Sequence, residues 1–537
     1  MKLSYQGIQD VHGYEMNGVK LPKFDWQRMA DKTAAAPTWV HFGAGNIFRG
    51  FIAALQQKLL NEGETDTGII AAETFDYDII DMIYAPHDSM TLMVALNPDG
   101  STDLEVVASI ARGLKADCQN AVDWPALCEA FRNPSLQMAS FTITEKGYAV
   151  TTPTGELSGL VQADIAAGPL KARHAMSVVA AMLLERFRAG AYPIAMVSMD
   201  NCSHNGEKLR SSVLTIVRGW VEKGHVPAEF EAYVADEARV SFPWSMIDKI
   251  TPRPADVIRD QLTGLGFEDM VPVVTSRNTY IAPFVNAEVP QYLVIEDRFP
   301  NGRPALEKAG VYFTDRDTVN MTERMKVTTC LNPLHTALAV YGCLLGYTSI
   351  AEEMRDPELV KLVKAIGYVE GLPVVVNPGI IDPKAFIDEV VEQRLPNPFI
   401  PDMPQRIATD TSLKVGIRFG ETIKSYAAST ELEMSSLVGI PLAIAGWLRY
   451  LLAVDDEGKE MPVSSDPMLA TLQAELAGVE LGKPESCKGK LDGILTNAVL
   501  FGSDLKAAGL AEKIEGYLSE LLEGPGAVRK TLVKYLG

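Results

Sequence analysis

The sequence predicts an α/β protein, with a parallel-sheet unit in its first half and a mainly helical unit in its second. Two observations predict it. A β-prone run at 38–42 leads through glycines into a helical pattern and then into a second β-prone run at 68–72, which ends on Glu73. Beyond about residue 300 the texture changes: strand signals become rare and helical periodicity dominates.

Taken in order, the first run is followed at once by Gly43-Ala44-Gly45-Asn46-Ile47-Phe48-Arg49-Gly50 and a helix pattern that reaches Leu60. Strand, glycine turn, helix, strand and acid form the order of a dinucleotide-binding βαβ unit, a Rossmann-type element. Strands are expected at 91–96 and 104–110, joined through Asn97-Pro98-Asp99-Gly100, which reads as a hairpin inserted in the α/β pattern. Buried strands are expected at 140–144 and 194–198, with a helix at 172–188. In the second half, 325–345, 350–366, 385–393, 422–430, 437–452 and 505–522 favour helix. Pro and Gly punctuate 296–302, so the boundary is expected there, giving domains 1–298 and 299–537.

The 537 residues, 47% hydrophobic and 22% charged, supply more than one core. Forty-nine Lys and Arg against 69 Asp and Glu leave a net charge of −20, the wrong sign for neutralising phosphate backbones, so nucleic acid is not an expected partner. The six cysteines and seven histidines are scattered without a C-x-x-C pair, which predicts reduced thiols and no metal site. The first twenty residues lack a signal-like apolar run, and the longest apolar stretch, 437–454, contains Pro441 and Arg449. A cytoplasmic protein with a buried core helix there, and no membrane partner, is the expectation.

Gly43 and Gly45 permit a tight turn and a close approach of backbone to a pyrophosphate at the positive end of the following helix. Phe48 stands where the third glycine of G-x-G-x-x-G belongs. Glu73 at the end of the second strand suits the adenosine ribose hydroxyls and favours NAD over NADP, with Asp76 and Asp78 as close rivals. In the second half, Glu323 and Lys326 stand three apart, as do Asn332 and His335, so each pair shares a helix face. Dehydrogenating an alcohol without metal needs a base, which a buried lysine can provide, and amide N–H donors for the oxygen, which Asn201 past a strand end can provide. Arg406 and Lys414, eight apart around Thr409, Asp410, Thr411 and Ser412, suit a polar or anionic substrate, and the Arg406 guanidinium suits a carboxylate held bidentately.

Together these segments resemble the mannitol dehydrogenase family, the metal-independent long-chain polyol and hexuronate dehydrogenases. The resemblance runs from about residue 38 to beyond 450. It rests on Gly43-Ala44-Gly45 with Arg49, Thr142-Ile143-Thr144-Glu145-Lys146-Gly147-Tyr148, Asp200-Asn201 with His204-Asn205-Gly206, the segment from Ser245 to Pro252, Glu323 to His335, and Arg406 to Lys414. It implies Lys326 as general acid/base, Asn201 and Asn332 holding the reacting oxygen, His335 orienting substrate and Glu323 assisting proton passage. It further implies Arg406, Lys414 and Asp248 at the substrate. The cofactor, NAD, is expected at Gly43, Gly45, Asn46, Ile47, Phe48, Arg49, Glu73, Thr144 and Glu145.

Departures from the family pattern point away from a mannitol enzyme proper. Ile47-Phe48-Arg49 stands where relatives often carry an aromatic, His and Arg, and Trp244 replaces a polar residue. One residue more separates Lys326 from Asn332 than in the mannitol enzymes. In a helix an added residue rotates the downstream side chains by about 100°, so a bulge or a shifted helix start is expected between them. The expected activity is reversible, NAD-dependent reduction of fructuronate to D-mannonate. Tagaturonate reduction, mannitol oxidation, mannitol 1-phosphate oxidation and a non-catalytic NAD-binding sensor are the alternatives. Oligomeric state is not legible.

Overall fold

The structure, a computed structural model, describes residues 1–537. The chain divides into two compact units at Asn320/Met321, within helix Arg316–Met325, with Pro98–Gly100 counted to the second unit. This division falls later than the 296–302 stretch suggested by Pro and Gly. The reason is local: strand Tyr312–Thr314 pairs in parallel with Tyr292–Glu296, so the chain past 302 still completes a sheet of the first unit.

The first unit is built on a six-stranded sheet: β1 (Trp39–Phe42), β2 (Ile69–Glu73), β3 (Ile110–Lys115), β4 (Met138–Phe141), β5 (Ile194–Ser198) and β6 (Val240–Ser241). Every pairing in it is parallel and the order is 3-2-1-4-5-6, that of doubly wound dinucleotide-binding sheets. β1, β2, β4 and β5 are buried on both faces, which is why they read as continuous apolar runs. Val40 and Phe42 join one core, with Phe141 stacked 5.1 Å from Phe42, while Trp39 joins the other.

The expected hairpin is present, as antiparallel strands Thr91–Leu96 and Thr102–Val107. The expected strand 104–110, however, merges two elements. The chain leaves the hairpin at Val107 and enters β3 at Ile110, and helix Ala53–Glu62 holds the crossing: Ala108 N–H donates to Gln57 Oε1 (2.6 Å) and Ser109 Oγ to the Ala53 carbonyl (2.6 Å). Helix Ala175–Gly190 precedes β5 as expected for 172–188.

The second unit is helical. Helix Gly439–Tyr450, buried along its whole length, packs on Asn332–Leu344 and Ala511–Leu521. Gly446 lets the Tyr341 ring approach, where a Cβ would meet it at 2.6 Å, and the Tyr341 hydroxyl donates to the Leu442 carbonyl (2.7 Å). Arg449 sits inside because its guanidinium donates to the carbonyls of Leu521, Val454 and Asp455. No helix of the chain is long and apolar enough to cross a membrane. The helices expected at 325–345, 350–366 and 385–393 are each interrupted by a wide π turn, at Lys326–Cys330, Ala365–Gly371 and Val390–Arg394.

Candidate active site

In the first unit, the chain turns after β1 at Gly43, whose φ of +103° is a region that side chains disfavour. A Cβ there would stand 2.3 Å from the Thr142 carbonyl oxygen. At Gly45 a Cβ would meet nothing within 4 Å, and the helix begins at Asn46. Open space before the N–H groups of a helix start is the arrangement a pyrophosphate fits.

Glu73 holds this turn from below. Its Oε2 accepts the Ala44 N–H (2.8 Å), and its Oε1 accepts those of Thr74 (3.0 Å), Phe75 (2.9 Å) and Asp76 (3.2 Å). Burial pushes this carboxyl above its ordinary value, while the four N–H donors pull it down. The carboxylate expected to face a ribose is thus buried and largely engaged by main chain. The rivals are engaged too, Asp76 by the Thr275 hydroxyl (2.6 Å) and Asp78 by the Ser276 N–H (2.8 Å). Just beyond Glu73, Phe75 is exposed, with the Arg277 guanidinium 5.1 Å from its ring centre.

Arg49 and Phe48, expected as cofactor contacts, lie in the interior. Arg49 donates to Thr91 Oγ1 (2.8 Å) and the Ala282 carbonyl (2.9 Å), and its other arm holds Asn46 Oδ1 (2.9 Å). Its influence on the loop therefore runs through Asn46. Phe48 stacks 4.1 Å from the His41 ring, since one turn into the helix the side chain points at the sheet. Ile47 is half-buried.

Past β4, Thr144 and Glu145 are exposed, and Glu145 pairs with Lys208. Thr144 has a φ of +63°, fixed by Asp200, which accepts the N–H groups of Ile143 and Thr144 (both 2.9 Å) and the Tyr148 hydroxyl (2.6 Å). Asn205 is a second organiser: its amide donates to the Asp200 carbonyl (3.0 Å) and to Ser245 Oγ (3.0 Å), and its Oδ1 accepts the Ser245 N–H (3.0 Å). Asn201 is thereby carried, exposed, just past the C-terminal end of β5. Asp248 is buried at the end of strand Ser245–Asp248. Asp200 and Asn205 stand inside motifs the sequence singles out, yet their structural work is visible only in the fold.

In the second unit, Lys326 is 2% exposed and opens the π turn Lys326–Cys330, marked by the Leu331 N–H donating five residues back to the Lys326 carbonyl (3.1 Å). Leu331 then breaks the helix and Asn332 starts the next one, Asn332–Leu344. A turn wider by one residue stands where the bulge between Lys326 and Asn332 is expected. Glu323 and Asn332 are half-buried.

His335 places Nε2 3.2 Å from Asp402, a carboxylate that also pairs with Arg406. Burial alone raises the Asp402 carboxyl, but His335 and Arg406 together hold it below the ordinary value. Arg406 is consequently engaged and its side chain 64% exposed, so it does not stand ready as the expected bidentate clamp. Lys414 Nζ donates to the carbonyls of Thr409 and Ile407, and burial followed by the neighbouring Arg418 cation lowers its pKa. Two members of this group lie outside the residues that the sequence singles out. Asp402 stands four residues before Arg406, a legible spacing, and Arg418 stands one turn past Lys414.

The doubly wound sheet with a glycine turn at the end of β1, together with the similarities that follow, defines an oxidoreductase of the NAD-dependent class acting on a CH–OH group. The chain belongs to the mannitol dehydrogenase family: residues 37–308 match the mannitol dehydrogenase Rossmann domain and 318–522 the mannitol dehydrogenase C-terminal domain. It is 52% identical to the D-mannonate oxidoreductase of Thermotoga maritima, over 100% of this chain and 99% of that one. It is 30% identical to the mannitol 2-dehydrogenase of Cereibacter sphaeroides, over 82% of this chain and 86% of that one. Among solved structures it resembles the Pseudomonas fluorescens mannitol 2-dehydrogenase ternary complex with NAD and D-mannitol, with a TM-score of 0.69 and 27% identity over 100% and 99% of the two chains.

Proposed function

We propose that the protein interconverts D-fructuronate and D-mannonate with NAD(H), using Lys326 as general acid/base. The observation that carries this reading is the 52% identity, end to end, with a D-mannonate oxidoreductase, against 30% with a mannitol 2-dehydrogenase. NAD supplies the hydride acceptor for alcohol oxidation, and NADH the hydride donor for ketone reduction.

The chain's own residues do the rest. The turn at Gly43 and Gly45 takes the pyrophosphate, held in shape by Glu73 and, through Asn46, by Arg49. Lys326 Nζ gives a proton to the ketone oxygen during reduction and removes it from the hydroxyl during oxidation. Asn201 and Asn332 donate to the same oxygen, where negative charge develops. His335, held by Asp402, orients the substrate, Glu323 passes the proton outward, and Lys414 and Asp248 border the substrate, with Arg406 acting through Asp402.

The test follows NADH oxidation with D-fructuronate, D-tagaturonate, D-fructose and D-fructose 6-phosphate in parallel. D-fructuronate is expected to turn over best, and Lys326→Ala to lower kcat by roughly 10²–10⁴-fold without weakening NADH binding. NADH binding without turnover of any ketose would leave a sensor in place of an enzyme. A near-normal Lys326→Ala would remove the lysine from its role.

A further inference from the structure

Arg418 is the one guanidinium of the second unit's polar group that no carboxylate neutralises. It lies half-buried in the π turn Gly416–Gly420, one turn after Lys414, and its pKa is lowered to about 10 by burial alone. Arg406 differs in being paired with Asp402. Asp410 and Asp466 act on Lys414, and Asp466 is itself engaged by Ser412 N–H (2.8 Å) and Oγ (2.5 Å) and by the Met468 N–H (2.9 Å). Withdrawing a cation from water without a counter-charge is unfavourable, so a group kept in that state is suited to an anion that arrives later.

The position of Arg418 says which part of a ligand it meets. Its Nη1 donates to Thr336 Oγ1 (2.5 Å), and that hydroxyl donates to the Asn332 carbonyl (3.0 Å), in the first turn of helix Asn332–Leu344. Asn332, His335 and the anchor of Arg418 thus share one helix turn. With Nη1 committed to Thr336, Nη2 and Nε remain for a planar, two-oxygen acceptor, and Lys414 adds a second positive charge beside them.

We propose that Arg418, with Lys414 beside it, seats the carboxylate of the sugar acid and is the residue that selects hexuronates over neutral ketoses. The inference rests on the reading under Proposed function. It transfers to Arg418 the carboxylate recognition that the sequence suggested for Arg406.

D-fructose carries –CH₂OH where D-fructuronate carries its carboxylate, so the two substrates report this contact directly. In Arg418→Gln, which keeps a donor for Thr336 while losing the charge, the ratio of kcat/KM for D-fructuronate to that for D-fructose should fall by roughly a hundredfold or more. The Kd for D-mannonate, titrated in the presence of NADH, should rise by a similar factor, while the Kd for NADH stays as in the parent protein. Arg418→Lys should recover part of both losses, and serves if the glutamine variant does not fold. Parent-like D-fructuronate kinetics in both variants would overturn this inference and leave the proposed function standing. An equal loss on both ketoses would make Arg418 a structural residue and overturn it too. A parent protein that reduces no keto-hexuronate removes the proposed function, and this assignment with it.

Discussion

At the scale of single residues, the two glycines of the first turn separate folding from binding. Gly43 combines a φ of +103° with a Cβ position 2.3 Å from the Thr142 carbonyl, so any side chain must push main chain apart. Gly43→Ala should therefore cost about 1–3 kcal/mol of stability and weaken NADH binding as well. Gly45 has open space in the Cβ direction, so Gly45→Ala should melt as the parent does and yet bind NADH more weakly if the added methyl enters the room proposed for the pyrophosphate. Thermal melts and NADH titrations of the two variants check the contrast. Equal melting losses would show that both glycines serve folding alone.

At the scale of elements, the π turn Lys326–Cys330 is where sequence and structure inform each other most. A π turn is an α turn with one residue added, so removing a residue from it should restore an α turn and leave Asn332 on its face. Deleting Val327, the half-buried member, should thus retain turnover within about tenfold, whereas an alanine inserted after Thr329 should rotate Asn332 by about 100° and abolish it. Loss of activity in both would place the register elsewhere. The need for such a compensation was legible from spacing, but its form was not, since hydrophobic periodicity does not distinguish a wide turn from a cap. Strands β1, β2 and β5 were legible because burial on both faces writes them as unbroken apolar runs. β3 was not, because Arg112 and Gly113 interrupt its pattern and its first residues merge with the hairpin. Of the site, the titratable groups and glycines could be picked out by type. What each one touches could not: Glu73 serves main-chain N–H groups, Arg49 is interior, and Arg406 is bound to a carboxylate 4 residues away whose importance appears only beside His335.

At the scale of the whole molecule, charge and burial together set the pH range in which the protein is most stable. The chain carries −20 at neutrality, and several carboxyl groups lie inside it. Glu353 is the extreme case: it is wholly buried, neither carboxylate oxygen has a hydrogen-bond partner, and burial first, then Asp356 and Glu352, hold its pKa well above the ordinary value. Glu370 is also raised by burial, although the N–H groups of Val438, Gly439 and Ile440 oppose the shift. A carboxyl with a raised folded-state pKa binds its proton more tightly folded than unfolded. Its contribution is thus fully present below the ordinary carboxylate range and is lost as pH rises towards the folded value. Asp356 and Asp402 run the other way, held low by Arg529 and by His335 with Arg406, and their contribution is lost only as pH falls below that range. Stability should therefore peak on the acid side of neutrality and decline towards pH 8, by about 1.4 kcal/mol per pH unit for each proton that the folded state retains. Glu353→Gln keeps the shape and removes the titration, so its melting temperature should exceed the parent's at pH 8, approach it near pH 5, and show a flatter dependence between. A pH dependence identical to the parent's would mean that Glu353 titrates as it does in the unfolded chain.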